Sequence, residues 1–204
     1  MTIFEDKIKK LEKIKNAGWD YVYGKLKNPR LTSGFWNNYG YRMQDLLYDI
    51  EQSLIFDSSW YFCVDTEYKN RVVAKNFNFG YVKERKNFGE VDNSLLTVLK
   101  SIGYDTSKIG RSFTNCFRKG DATDYHQDPG KTTYLFYVNQ RWKKHWGAPT
   151  KFKLRKYRPS IKVYPRPGRL IVYDSSIRHK GNAPTFFMPR NIPGRFSIVF
   201  HENQ

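Results

Sequence analysis

Apolar positions recur at helical spacing in the first half of the chain and at strand spacing in the second. Phe4, Ile8, Leu11 and Ile14 share one face across residues 4 to 17, which predicts an amphipathic helix lying outside a sheet. Asn28-Pro29-Arg30 and Ser33-Gly34 then break the chain. Met43, Leu46, Leu47, Ile50 and Leu54 restore the spacing over 42 to 55 and predict a second covering helix. Residues 59 to 66, rich in aromatic and β-branched side chains, read as a strand. From 68 to 87, Val72, Val73, Phe77, Phe79 and Tyr81 are interleaved with basic residues. A twisted hairpin with one wet face is the preferred reading, and a surface that pairs with phosphates and stacks on bases is the other. Asp92, Asn93 or Ser94 caps a short helix carrying Leu95, Leu96, Leu99 and Ile102, which Gly103 ends.

Beyond residue 110 the helical pattern stops. Strand-like runs at 111 to 117, 131 to 138, 150 to 155, 160 to 164, 169 to 174 and 195 to 201 alternate with Gly/Pro turns. Many short strands at such spacing predict a sandwich or barrel of the jelly-roll kind, with helices packed outside one sheet. The expected class is therefore mainly β with N-terminal helices (α+β), in a single domain over residues 1 to 204. Residues 1 to 105 form helical support and a basic loop region, and 110 to 201 form the core.

Composition sharpens this picture in two ways. Aromatic residues make up 17% of the chain, so Phe, Tyr and Trp supply much of the buried area, as in a sheet-rich core. A formal charge of +17, from 36 basic and 19 acidic residues, suits a nucleic acid or an acidic protein partner, or serves solubility alone. Cys63 and Cys116 sit among aromatics in strand-like runs and suggest neither a disulfide framework nor a thiolate site. With acidic Glu5 and Asp6 where a signal peptide would be basic, and no membrane-length apolar run, a reduced, cytoplasmic location is expected.

Candidate chemistry centres on Tyr125-His126-Gln127-Asp128-Pro129-Gly130. A His and a carboxylate two residues apart on a strand point the same way and can share one metal, and Pro129-Gly130 places them at a strand mouth. The second imidazole must come from far along the chain. His179, just after the strand-like Gly168-Arg169-Leu170-Ile171-Val172-Tyr173-Asp174, is the candidate, brought back opposite Asp128. On the run from 195 to 201, Arg195, Ser197 and Val199 share a face, and a guanidinium inside a dry barrel demands a carboxylate. Tyr137 can help hold the same carboxylate. Each has a plainer reading: a capped turn for His126 and Asp128, a core histidine for His179, a partner of Asp174 for Arg195, ordinary core for Tyr137. His145 reads as exposed, and His201 faces with Arg195 at the edge of the site.

As a set, His126-x-Asp128, His179 and Arg195-x-Ser197 resemble the iron(II)- and 2-oxoglutarate-dependent dioxygenases, over roughly residues 110 to 201. Tyr137-Val138-Asn139-Gln140-Arg141-Trp142, then Gly147-Ala148-Pro149-Thr150-Lys151-Phe152, is similar to the prolyl 4-hydroxylase-like branch. Asn115-Cys116-Phe117 with His126-Gln127-Asp128 is similar to the AlkB-type nucleic-acid demethylases. Those have tyrosine where this chain has Phe117 and a second arginine where it has His201. The resemblance implies a double-stranded β-helix, Fe(II) held by His126, Asp128 and His179, and 2-oxoglutarate bound by Arg195 with Tyr137, Ser197 and Asn115. It also implies O2 as oxidant and ascorbate as reductant. Hydroxylation of a macromolecule follows, a prolyl side chain in an acidic peptide or protein first. The alternatives are a nucleic-acid demethylase or base hydroxylase, with Lys69, Arg71, Lys75, Lys83, Arg85 and Lys86 on phosphates, and a jelly-roll module that binds metal and ligand without turnover.

Overall fold

The computed structural model describes residues 31–35, 41–56, 61–64, 79–85, 90–101, 103–153 and 159–203. The helix expected over 4 to 17, and Lys69, Arg71, Lys75 and Lys86, lie outside them. Two antiparallel sheets and two helices make up the described fold. The large sheet has the order β1 (Leu31–Phe35), β8 (Arg169–Asp174), β5 (Thr132–Tyr137), β10 (Arg195–Glu202), β4 (Ile109–Phe117), β3 (Phe79–Arg85), β2 (Tyr61–Val64). The small sheet has the order β7 (Ile161–Val163), β6 (Thr150–Lys153), β9 (Arg178–Gly181).

From β4 onward the chain alternates between sheets. β4 lies in the large sheet, His126 bridges to β9 of the small one, and β5 returns to the large. β6 and β7 follow in the small sheet, then β8 in the large, β9 in the small and β10 in the large. This winding is the double-stranded β-helix, and the class expected from the spacing of short strands is the one observed.

Alternation along β10 builds a core on each side of the large sheet. Phe196, Ile198 and Phe200 face the helices α1 (Tyr41–Phe56) and α2 (Glu90–Ser101), where they meet Leu47, Ile50, Leu54, Leu95 and Leu99. Val199 points the other way, into the barrel, with Leu135, Tyr137, Ile171 and Tyr173 from the large sheet and Phe152 and Val163 from the small. Polar ties fix the helices on the sheet. Buried Glu51 of α1 accepts from Asn139 Nδ2 at 3.0 Å and from the Gln140 amide at 3.1 Å. Asn139 Oδ1 in turn accepts from the Phe196 amide at 2.7 Å, and Ser112 donates to Asp92 of α2 at 2.9 Å.

Several elements differ from expectation. Ser33-Gly34, read as a break, lies inside β1, which pairs with β8 at the edge of the sheet where glycine is tolerated. The hairpin joins β2 to β3, so its first strand precedes the segment read as the hairpin; Lys83 and Arg85 stand on β3, opposite Thr114 and Ser112. β9 was not anticipated, because four residues with His and Gly among them carry too little apolar alternation to register.

Ile198 is fully buried between the helices and the central strands. Ile198→Ala is expected to lower the unfolding free energy by about 2–5 kcal/mol, read from urea titrations with unchanged m.

Candidate metal centre

One backbone bridge brings the two histidines together. The His126 amide donates to the His179 carbonyl at 2.9 Å, and the His179 amide returns the bond at 2.9 Å. Residues that exchange both bonds in an antiparallel pair stand directly opposite, with side chains on the same face. The imidazole centroids are accordingly 4.5 Å apart. Asp128 does not stand opposite His179 as expected: its amide bonds the Ser175 carbonyl at 3.0 Å, in the turn leaving β8. Gly130, at φ +85°, then turns the chain toward β5 so closely that a Cβ there would strike the Glu202 carbonyl. One donor atom from each of His126, Asp128 and His179 lies within 4.8 Å of the others.

Each donor is oriented by a neighbour. His126 Nδ1 lies 2.8 Å from the Asp124 carbonyl and His179 Nδ1 lies 2.9 Å from the Ile177 carbonyl. A carbonyl only accepts, so both rings carry a proton on Nδ1 and turn Nε2 toward the carboxylate. Those Nε2 atoms stand 3.7 Å from Asp128 Oδ1 and 3.3 Å from Oδ2 respectively. Oδ2 also accepts from Thr133 Oγ1 at 2.9 Å and Tyr173 Oη at 2.8 Å, which leaves Oδ1 as the less engaged oxygen. Burial would push Asp128 up, but His201, His179 and His126 together hold it well below the ordinary carboxylate range. Two imidazoles that turn Nε2 toward one carboxylate fit a divalent metal with open positions. The His126 side chain is 29% exposed against 6% for His179 and 7% for Asp128, so the approach is from its side.

Thr133 and Tyr173, which orient the carboxylate, carried no sequence signal beyond facing inward on β5 and β8. His201 lies nearer the centre than its place at the chain end suggested. Its Nε2 is 3.6 Å from Asp128 Oδ2, beyond hydrogen-bond range, and neither ring nitrogen of this buried side chain has a hydrogen-bond partner.

Arg195 is closed inside the barrel. Its guanidinium lies 4.2 Å over the Phe117 ring and 5.6 Å from that of Tyr137, and Nη1 donates to the Ala148 carbonyl at 3.3 Å. Phe117 can press so close because a Cβ on Gly181 would meet its ring at 2.1 Å. No carboxylate pairs with Arg195 among the described residues, and its Nε has no hydrogen-bond partner. Burial accordingly pulls its pKa down. Ser197, next along the same inward face, is buried with its hydroxyl unpartnered, and Asn115 stands opposite it on β4. Tyr137 is buried beside them, its hydroxyl 2.6 Å from Thr150 Oγ1 and donating to the Val163 carbonyl at 3.2 Å. A buried cation beside an unsatisfied hydroxyl fits the carboxylate of a small ligand. His145 is exposed.

No protein-family model matches this sequence, and no curated protein sequence matches it significantly. Solved structures do share its fold. A Pseudomonas putida prolyl-4-hydroxylase superposes with a TM-score of 0.63 at 13% identity, over 91% of this chain and 99% of that one. A Trichoplax adhaerens prolyl hydroxylase, solved with a peptide fragment of the hypoxia inducible factor oxygen degradation domain, gives 0.66 at 13% identity, over 95% and 92%. A 2OG-Fe(II) oxygenase-family oxidoreductase from Burkholderia pseudomallei gives 0.58 at 14% identity, over 91% and 92%. At these identities the likeness establishes the double-stranded β-helix shared with such enzymes, and the His-x-Asp and distant His stand together within it.

Burial lowers the pKa of His179 from 6.5, against the pull of Asp128. A folded-state value below the unfolded one means its contribution to stability is full above about pH 6.5 and falls as the pH drops. Asp128, also lowered, adds its loss only below its ordinary value of 3.8. The urea midpoint of the metal-free protein should therefore be lower at pH 5.5 than at 7.5, with a smaller difference in His179→Gln. A midpoint that rises on acidification would contradict a neutral buried imidazole.

Proposed function

We propose that the chain is an Fe(II)- and 2-oxoglutarate-dependent dioxygenase that hydroxylates a macromolecular substrate, a prolyl side chain in a protein being the first to test. Arg195 carries this reading: a fully buried cation without a carboxylate, in the barrel that also holds the His126, Asp128 and His179 cluster. Uncompensated buried charge is costly and is kept where a ligand supplies the counter-charge. The 2-oxoglutarate dianion is a ligand of that kind, one carboxylate for Arg195 and the other end for the metal.

With Fe(II) bound, O2 would be the oxidant and 2-oxoglutarate would supply two electrons by its oxidative decarboxylation to succinate, one oxygen atom going to succinate and the other to the substrate; that chemistry belongs to the metal and its co-substrate. The protein's part is binding and orientation. His126, Asp128 and His179 would hold the ion from one side, with Nδ1 of both rings tied to carbonyls so that Nε2 stays available. Thr133 and Tyr173 keep the Asp128 carboxylate from turning. Arg195 and Ser197 would grip the far carboxylate, with Asn115 opposite and Tyr137 walling the pocket. The apolar barrel interior excludes water. Residues 110 to 201 serve as the catalytic core in this reading. A peptide substrate is supported by the likeness to the Trichoplax enzyme solved with one.

The test is Fe(II)-dependent formation of succinate from 2-oxoglutarate, with ascorbate and with candidate peptides and oligonucleotides followed by mass for a gained oxygen or a lost methyl group. His126→Ala should abolish turnover while still unfolding cooperatively. Arg195→Met should raise the KM for 2-oxoglutarate about 100-fold, as removing one partner of a buried charge pair does. Because it also removes an unpaired buried cation, it should raise the thermal midpoint of the ligand-free protein by about 2–4 °C for each kcal/mol relieved. An Arg195→Met protein with normal KM, or one that melts earlier than wild type without ligand, would overturn the assignment of this side chain.

A further inference from the structure

The outer face of the small sheet is cationic throughout. Inward positions on its strands are buried Thr150 and Phe152 on β6, Val163 on β7, and His179 and Gly181 on β9. The outward ones are Lys151, Lys153, Lys162, Arg178 and Lys180. Register sets these side by side. Lys151 stands opposite Lys162 on one neighbouring strand and opposite Lys180 on the other, and Lys153 stands opposite Arg178. Facing residues on adjacent strands are about 5 Å apart, and like charges so placed repel. None of the five forms an ion pair with a carboxylate among the described residues.

Tyr125, just before His126 on the bridging segment, extends the row. The ammonium groups of Lys180 and Lys153 lie 5.1 Å and 5.9 Å from its ring centroid, and Arg178 donates to its carbonyl at 3.3 Å. Cation–π contacts hold these side chains in place without neutralising them.

We infer that the outer face of the small sheet, built from Lys151, Lys153, Lys162, Arg178, Lys180 and Tyr125, binds the phosphate backbone of a nucleic acid strand. Among the described residues, the exposed large apolar side chains, Tyr48, Ile55, Phe56, Phe186 and Phe187, all lie on other elements. A peripheral membrane surface normally adds apolar groups that enter the lipid, and a protein interface adds a buried aromatic or aliphatic anchor. A face of cations alone recognises what is uniform and densely charged, a row of phosphates. Binding here is independent of base sequence and of the metal centre, which occupies the opposite side of the same sheet.

The experiment is fluorescence anisotropy of a labelled 20-nucleotide single-stranded DNA with the full chain over a salt series. Wild type should bind at low salt and weaken steeply as salt rises. Lys151→Ala/Lys153→Ala/Lys162→Ala should bind about 100-fold more weakly at 0.1 M salt, and its log–log salt slope should fall by about 2, the value for three phosphate contacts on a single strand. Relief of repulsion should leave this variant at least as thermally stable as wild type, so that loss of binding is not loss of fold. A control with Lys119, Arg141 and Lys143 replaced by Ala, of equal charge change at exposed positions elsewhere, should keep most of the affinity. His126→Ala should bind like wild type. Equal weakening in the control triple would reduce the effect to net charge and overturn the assignment, as would no binding by wild type at low salt. Phosphatidylserine vesicles or poly-glutamate bound more tightly than DNA at matched salt, with the loss in the first triple confined to them, would overturn it in favour of a membrane or an acidic protein.

Discussion

The reciprocal hydrogen bonds between the backbones of His126 and His179 are the constraint on which the rest of the site depends. They attach the segment after β4 to the exposed edge of β9 and so extend the small sheet past its regular strands. Without that pairing nothing fixes one imidazole relative to the other, since their carriers are separated in the chain by β5 to β8. With it, both rings lie on the inward face by the pleat alone. The site is thus a property of sheet register: a slip of one residue would send a histidine to the outer face among the lysines.

Holding the third donor takes a different device, because Asp128 lies beyond the bridge in a turn. Its carboxylate is fixed from the large sheet, by Thr133 on β5 and Tyr173 on β8, and Tyr173 Oη also lies 3.1 Å from His179 Nε2. One phenol therefore touches a donor from each part of the cluster. The arrangement keeps a carboxylate among three imidazoles and, in the same barrel, a guanidinium with no carboxylate partner among the described residues. Stability is given up locally at the guanidinium, and the apolar interior of Leu135, Phe152, Ile171 and Val199 sustains it.

The parts legible in the sequence were those with a period or a chemistry of their own. Helix α1 and the strand at 169 to 174 were read nearly to the residue because each repeats apolar positions over several turns or pleats. The His-x-Asp pair, the distant His and the Arg-x-Ser strand stood out because such groups are rarely placed inward without cause. What escaped was tertiary. Ser33-Gly34 belongs to a strand only because β8 offers its edge, and β9 only because β6 does. That His179 faces His126 rather than Asp128 follows from a bridge that no local pattern encodes. For His201 alternation gives the face but not the depth, which the packing of β4 and β5 on either side of β10 sets.

The two sheets also differ in what lies outside them, and this difference organises the molecule. The large sheet is covered by α1 and α2, so its central strands β5 and β10 are buried on both faces and show weak alternation; β5 from Tyr134 to Tyr137 is buried throughout. The small sheet has no helix upon it among the described residues, so its strands alternate strictly, buried inward and charged outward. An uncovered face needs only solubility, which mixed charges would supply with less repulsion than five cations in register. That the face is instead of one sign, on a sheet whose edge strand β9 carries His179, accords with the proposed external anion. On β9 the pleat turns His179 inward toward Asp128 and Arg178 and Lys180 outward, and so keeps the two proposed surfaces apart.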